Sequence, residues 1–206
     1  MELNFAGHQF IALPQRGLFW PAQQALLVAD LHWGKDSTFR AHGIPVSRGL
    51  LSDELERLIQ LCRSTNAQHL WVLGDLCHSR DGLDNQVCGL IHEACQDLPP
   101  RALIEGNHDR HLQRQVEAWG FDWWPEPTRI DGVALNHHPL PGIHGHLHPT
   151  FWVKQGRERV RLPCFHYNHE RLVLPAFTGF SNGVVMPQGA NDKAIVIAGT
   201  QLFRAC

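Results

Sequence analysis

Fifteen histidines stand in this 206-residue chain, against eighteen lysines and arginines together. Imidazole is the commonest metal ligand, so their placement matters more than their number. Many fall beside carboxylates where an apolar run ends. ALLVAD (25–30) runs into Asp30-Leu31-His32, and HLWVLGD (69–75) ends in Gly74-Asp75. RALIEGN (101–107) leads into Gly106-Asn107-His108-Asp109, GVALNHHP ends in His137-His138, and a fifth segment carries Gly145-His146-Leu147-His148. Asparagine, histidine and aspartate are costly beside a core unless something binds them. Asp30/His32 and His146/His148 are spaced i, i+2, which in extended backbone puts both side chains of a pair on one face. Gly74, Gly106 and Gly145 allow tight turns that aim the next residue inward.

The candidate donors are Asp30, Asp75, the amide oxygen of Asn107, and the imidazoles of His32, His137, His146 and His148. That exceeds what one catalytic metal takes and suits two metals sharing a carboxylate. A nitrogen and oxygen set without thiolate points to manganese, iron, zinc or cobalt rather than a structural zinc. Two such ions about 3.5–4 Å apart can clamp a phosphate and acidify a water, so phosphoryl transfer fits best. Each motif has a plainer explanation: Asp-x-His as a helix cap, Gly-Asp as a turn, GHLH as an exposed strand. GNHD is more specific, since a mere turn needs only Asn-Gly. Five motifs at successive strand ends leave little room for five unrelated turns.

The elements that must position them follow from hydrophobic periodicity. Residues 1 to 20 read as short strands with a turn at Ala6-Gly7 between Leu3-Phe5 and Phe10-Leu13. The runs at 25–30, 69–75 and 101–107 are buried strands. Leu51, Leu55, Leu58, Ile59 and Cys62 predict a helix over 49–62, and a weaker one covers 83–96. After Pro125 and Pro127 come only strands: GVALNHH, GIHGHLH, TFWVK, RVRLPCF, RLVLPAF and KAIVIAG. An α/β first half and a strand-rich second half predict two packed sheets flanked by helices. In such sheets ligands gather beyond the carboxyl ends of strands, where these motifs would converge.

Composition excludes several classes. A hydrophobic content of 43% with 18% charged residues describes a globular chain, and no run reaches membrane-spanning length. The start Met1-Glu2-Leu3-Asn4 has no signal-peptide character, and six cysteines without a C-x-x-C pair argue against a zinc ribbon or a disulfide framework. A reduced, cytoplasmic protein with no membrane partner is expected. A net charge of −2 gives no global pull toward nucleic acid, so any such binding relies on a local patch.

The motif order D-x-H, GD, GNH[DE], H and GHxH over residues 30 to 148 resembles the calcineurin-like metallophosphoesterase superfamily. DLHWGKDSTFRAHGIPV (30–46), GDLCHS (74–79) and GNHDRH are similar, more narrowly, to the ligase-associated DNA damage response endonuclease family. The resemblance implies a four-layer sandwich of two mixed β-sheets flanked by helices, in a single domain spanning 1–206. It implies that Asp30, His32, Asp75 and His148 hold one metal, and that Asp75 bridges to a second held by Asn107, His137 and His146. In NHHP, His137 is preferred over His138 by its place in the motif. His108 would stand near the leaving group as proton donor or hydrogen-bond stabiliser, and His78, like the histidine in the GDLFH motif of nucleases, at the site edge. The implied cofactors are two divalent ions, manganese foremost. The implied substrate is DNA, single-stranded rather than duplex, in DNA repair, with an ATP-dependent DNA ligase and a helicase as associates.

A calcineurin-type protein phosphatase would carry GDxxDRG where this chain has Gly74-Asp75-Leu76-Cys77-His78-Ser79. Lys35, Arg40, Arg80 and Arg110 flank the motifs and could reach backbone phosphates. KQGRERVR (154–161) reads first as a charged edge hairpin that blocks aggregation, and second as a DNA patch. Trp123-Trp124 is the expected exposed tryptophan pair. Three functions from different classes remain: a two-metal nuclease, a phosphatase or cyclic-nucleotide phosphodiesterase for a small phosphate ester, and a non-catalytic scaffold. The complete donor set disfavours the last.

Overall fold

The computed structural model describes residues 1–156 and 158–205; Arg157, within KQGRERVR, and Cys206 lie outside the described residues. Strands β1 (Glu2–Phe5), β2 (His8–Ala12), β3 (Leu18–Trp20), β4 (Ala25–Val28), β5 (His69–Leu73), β6 (Arg101–Ile104) and β7 (Phe121–Trp124) form one sheet in that order. It is antiparallel up to β4 and parallel from β4 to β7. The second sheet holds β8 (Thr128–Ile130), β9 (Val133–Leu135), β10 (Gly142–His144), β12 (Glu158–Tyr167), β13 (Arg171–Val173), β14 (Lys193–Ala198) and β15 (Gln201–Ala205), with β11 (Thr150–Gln155) paired to β12 as a hairpin. It too is mixed, with β10 parallel to both β9 and β13.

Burial decides which faces meet. Leu3, Phe10, Leu18, Trp20, Leu27 and Ile104 of the first sheet pack on Leu135, Ile143, Phe165, Leu172 and Ile195 of the second. The other face of the first sheet, through Leu26, Val28, Leu70, Val72 and Leu103, packs on helices α2 (Leu50–Thr65), α3 (Asn85–Cys95) and α4 (Gln113–Ala118). A fully buried leucine such as Leu58 contributes about 1.5–3 kcal/mol. Helix α2 buries Leu51, Leu55, Leu58, Leu61 and Cys62, leaves Ile59 half-buried, and runs to Thr65, where left-handed Asn66 ends it. Helix α3 is capped by Asp84, whose side chain accepts from the Val87 N–H at 2.8 Å. The two-sheet sandwich is the expected one. Beyond the second sheet, Cys164, Ala194 and Val196 are covered by Phe151, Val153 and Leu162 of the hairpin and by Phe203 and Ala205 of β15.

Five elements were not foreseen: α1 (Lys35–Ala41), α4, β7, β8 and β15. Helix α1 buries Asp36 and Thr38 rather than an apolar stripe, so it has no periodic signal. Strand β7 contains the Trp123-Trp124 pair, which is only half free: Trp124 is exposed, but Trp123 packs on the helix-side core. Five cysteines, 62, 77, 88, 95 and 164, are free thiols. Among the described residues no helix is long and apolar enough to cross a membrane.

Candidate metal centre

The parallel neighbours β4, β5 and β6 end side by side, so Asp30, Asp75 and Asn107 leave the same edge of the first sheet. From the second sheet, β9 delivers His137 and β10 delivers His146 and His148. A parallel bridge between Ala29 and Ala176 ties the end of β4 to the segment that follows β13. The turns are tight: Asp30, His32, Asp75, His146 and His148 all have left-handed backbone, with φ of 55°, 50°, 51°, 67° and 47°. Gly106 is required for space, because a Cβ would lie 2.2 Å from the Asp75 backbone nitrogen. Gly74 needs both, with φ 77° and a Cβ that would meet the His137 ring at 2.1 Å.

Side chains converge as two clusters around one carboxylate. Asp75 Oδ1 lies 3.5 Å from His137 Nε2, while its Oδ2 lies 3.8 Å from His32 Nε2 and 3.9 Å from His108 Nε2. Asp30 Oδ1 is 3.4 Å from His148 Nε2 and 3.9 Å from His137 Nδ1. On one side, His137 Nε2 sits 2.9 Å from Asn107 Oδ1 and 3.0 Å from His146 Nδ1. On the other, the Nε2 atoms of His32 and His148 face each other at 3.5 Å. Outer partners fix the rings. His137 Nδ1–H donates to the Leu73 carbonyl at 3.0 Å and His148 Nδ1–H to the Asn182 carbonyl at 3.2 Å, so both Nε2 lone pairs point inward.

That arrangement fits divalent cations. Oxygen and nitrogen acceptors crowd together at hydrogen-bonding distance with too few protons between them, which is unfavourable until a cation enters. Three of the residue groups able to hold an ion are Asp30/His32/His148, Asp30/Asp75/His137 and His137/His138/His146. Burial, with Lys35 and the neighbouring imidazoles, pulls His32 down to about 2, so it is neutral and available as a ligand. Burial opposes protonation of His148, but the hydrogen bond and charge of Asp30 outweigh it and raise its pKa. Of the two adjacent histidines, His137 is fully buried against Asp30 and Asp75. His138 turns to Glu126 through Nδ1, with its ring centroid 5.1 Å from that of His146.

His108 and His78 form the rim. His108 Nδ1–H donates to the His78 carbonyl at 2.7 Å, and the two rings stack at 5.2 Å with 25° between planes. Burial, Lys35 and His108 lower His78 to about 4. Lys35 stands at the start of α1, 5.7 Å from the centroid of the exposed Phe180 ring, and burial lowers its pKa against the pull of Glu54, Asp30 and Asp75. The other proposed phosphate ligands are less available. Arg40 is engaged by Asp36 Oδ2 at 2.9 Å, Ser37 Oγ at 2.7 Å and the Ser47 carbonyl at 3.3 Å. Arg110 lies 3.7 Å from Glu105, and Arg80 is exposed on the short turn Arg80–Gly82.

Several supporting residues escaped the sequence analysis. Fully buried Asp109 accepts from the backbone N–H groups of Leu76, Cys77 and Gly106 at 3.3, 3.2 and 3.2 Å, tying the Gly-Asp turn to GNHD. Burial and Asp75 raise its carboxyl to about 7. Its place as the fourth residue of GNHD was a usable signal. Glu126 accepts the N–H groups of His137 at 2.9 Å and His138 at 3.0 Å, holding that turn, and nothing in Pro125-Glu126-Pro127 announces it. Arg16 and Arg57 donate to carbonyls of 176–178, beside His148, and Glu54 receives the Thr178 hydroxyl at 2.6 Å.

No family model matches the chain, and no curated protein matches it. Among solved structures, the Pseudomonas putida nuclease MPE is 27% identical over 100% of this chain and 99% of that one, with a TM-score of 0.86. Two looser likenesses are Yfce, a phosphoesterase from E. coli (16% identity, 88% of this chain and 97% of that one, TM-score 0.45), and a protein of unknown function from Aquifex aeolicus (19%, 56% and 60%, TM-score 0.38). An end-to-end superposition with the nuclease, on a chain whose strand-end motifs meet at one place, makes this protein a hydrolytic metallophosphoesterase.

Proposed function

We propose that the chain is a two-metal phosphodiesterase that cuts single-stranded DNA internally. The observation that carries this is Asp75, whose two oxygens face separate imidazole clusters, the disposition a bridging carboxylate needs. Asp30, His32, Asp75 and His148 would hold one ion, and Asp75, Asn107, His137 and His146 the other. When bound, divalent ions supply Lewis acidity toward a phosphoryl oxygen and lower the pKa of a bound water.

The chain's own residues do the rest. Asp109 and Glu126 fix the two turns that carry Asp75 and His137. His108, with Nδ1–H engaged by His78, presents Nε2 on the Asp75 side, where as imidazolium it donates to the departing oxygen. The stacked His78 ring limits the rotation of His108. Lys35 neutralises phosphate charge at the rim, and Phe180 offers an exposed ring on which an unpaired base can stack. The structural neighbour that superposes end to end is a nuclease, which supports a polynucleotide over a small ester here. Manganese, DNA repair and association with a ligase and a helicase rest on the motif resemblance.

The test is incision of circular single-stranded DNA in manganese, with chelator and Asp75→Ala as controls and a duplex circle alongside. A circle has no ends, so a linear product comes only from internal cutting. Metal-dependent linearisation lost in Asp75→Ala is expected. An intact circle alongside rapid hydrolysis of a phosphomonoester or a cyclic nucleotide would reassign the site to small phosphate esters.

A further inference from the structure

The β11–β12 hairpin is a ribbon with two unlike faces. Cross-strand partners share a face, and the register pairs Thr150 with Pro163, Trp152 with Arg161 and Lys154 with Arg159. The alternate residues Phe151, Val153 and Leu162 turn the other way and cover Cys164, Ala194 and Val196. One face is therefore apolar, packed by Phe151, Val153 and Leu162 and exposed at Val160, while the other carries three cations and a tryptophan. The Arg159 guanidinium lies 4.6 Å from the Trp152 ring centroid.

At the foot of this face Arg161 joins Arg16, His148, Thr150, Ser181 and Gly183 around a cavity of about 190 Å³. Among the described residues no carboxylate lines it. Arg161 Nη1 donates to the Gly183 carbonyl at 3.3 Å, and Arg16 Nη1 to those of Ala176 at 3.2 Å and of Thr178, leaving further N–H groups on each guanidinium. Glu54, the acid that acts on Arg16, is itself engaged by the Thr178 hydroxyl and the Gly179 N–H. His148 links the cavity to the metal centre, because its Nε2 lies 3.4 Å from Asp30. A charged edge that merely blocks strand pairing explains exposed cations. It does not explain two arginines around a carboxylate-free cavity beside a metal-centre histidine.

We propose that this face is the track along which a single strand runs from the metal centre, with one internucleotide phosphate seated between Arg16 and Arg161 and a base stacked at Trp152. The proposal rests on the nucleic-acid reading above and extends it from the scissile bond to the neighbouring nucleotides. A phosphate suits paired guanidiniums, and an aromatic ring takes any base without sequence preference.

The test is fluorescence anisotropy of the full chain with a 5′-hydroxyl oligothymidine, in calcium, across a range of salt. Arg161→Gln should weaken binding about tenfold and make the slope of log affinity against log salt shallower by about 0.7, the loss of one single-strand phosphate contact. Arg161→Lys should keep the slope, and Trp152→Ala should weaken binding about tenfold without changing it. Arg63→Gln, on α2 and paired with Asp97, serves as a charge control and should bind like the wild type. A wild-type slope in Arg161→Gln overturns the track while leaving the nuclease reading intact, provided the circle is still cut. Failure of the wild type to bind any strand removes both.

Discussion

A left-handed backbone costs a non-glycine residue roughly 1–2 kcal/mol, yet Asp30, His32, Asp75, His146 and His148 all adopt it. The reason is directional: one left-handed residue after a strand swings the side chain across the sheet edge, toward the opposing ligands. The glycines complete the fit by close approach. Gly106→Ala should lower turnover at least a hundredfold, because the new Cβ meets the Asp75 backbone, which cannot give way as a flexible side chain could. A Gly106→Ala chain with wild-type kcat would show that these turns have slack. At the rim, His78→Ala should reduce diester turnover by about tenfold or more while bound metal stays unchanged, since His78 stacks on His108 and meets His32 only edge-on, with centroids 5.4 Å apart, leaving the inner donors in place. Loss of metal in that variant would make His78 a ligand instead. The candidate ligands were legible because each motif is short and local in sequence. Glu126 was not, because its role exists only once β8 and β9 bring it under the His137-His138 turn.

At the scale of elements, the segment 176–182 carries the carbonyl that orients His148, yet it belongs to neither sheet. It is held from below by Arg16, Arg57 and Glu54. Burial raises the Glu54 carboxyl, outweighing the hydrogen bonds from Thr178 and Gly179 and the charges of Arg57 and Arg16. A folded pKa above the unfolded one gives a contribution fully present below the unfolded value of about 4.3 and lost as pH rises through the folded one. With Glu54→Gln as the non-titrating reference, the wild-type Tm should therefore decline relative to the variant between pH 4 and pH 7. A difference that is flat over that range would place Glu54 at its ordinary pKa. The sequence revealed the buried parallel strands and α2, whose leucines repeat at helical spacing. It hid α1, which buries Asp36 and Thr38, and α4, which is only six residues long.

Across the whole molecule, the sandwich brings together two sets of strand ends that lie far apart in the chain, 30 residues between Asn107 and His137 and 64 between Leu73 and His137. Apolar burial between the sheets supplies the energy to hold acceptors against one another, and a bound cation would return part of it. That the halves must stack as two sheets could be argued from the pattern of runs. How the hairpin face, the 176–182 segment and the metal centre adjoin could not, because that depends on long-range register. In the proposed reading one carboxylate-bridged centre holds two ions. Calorimetric titration of the chelator-stripped chain with manganese counts them, with His137→Ala and His148→Ala in parallel. Two ions per wild-type chain and one in each variant are expected. A wild-type chain that binds a single ion, or two that survive both substitutions, would contradict that reading.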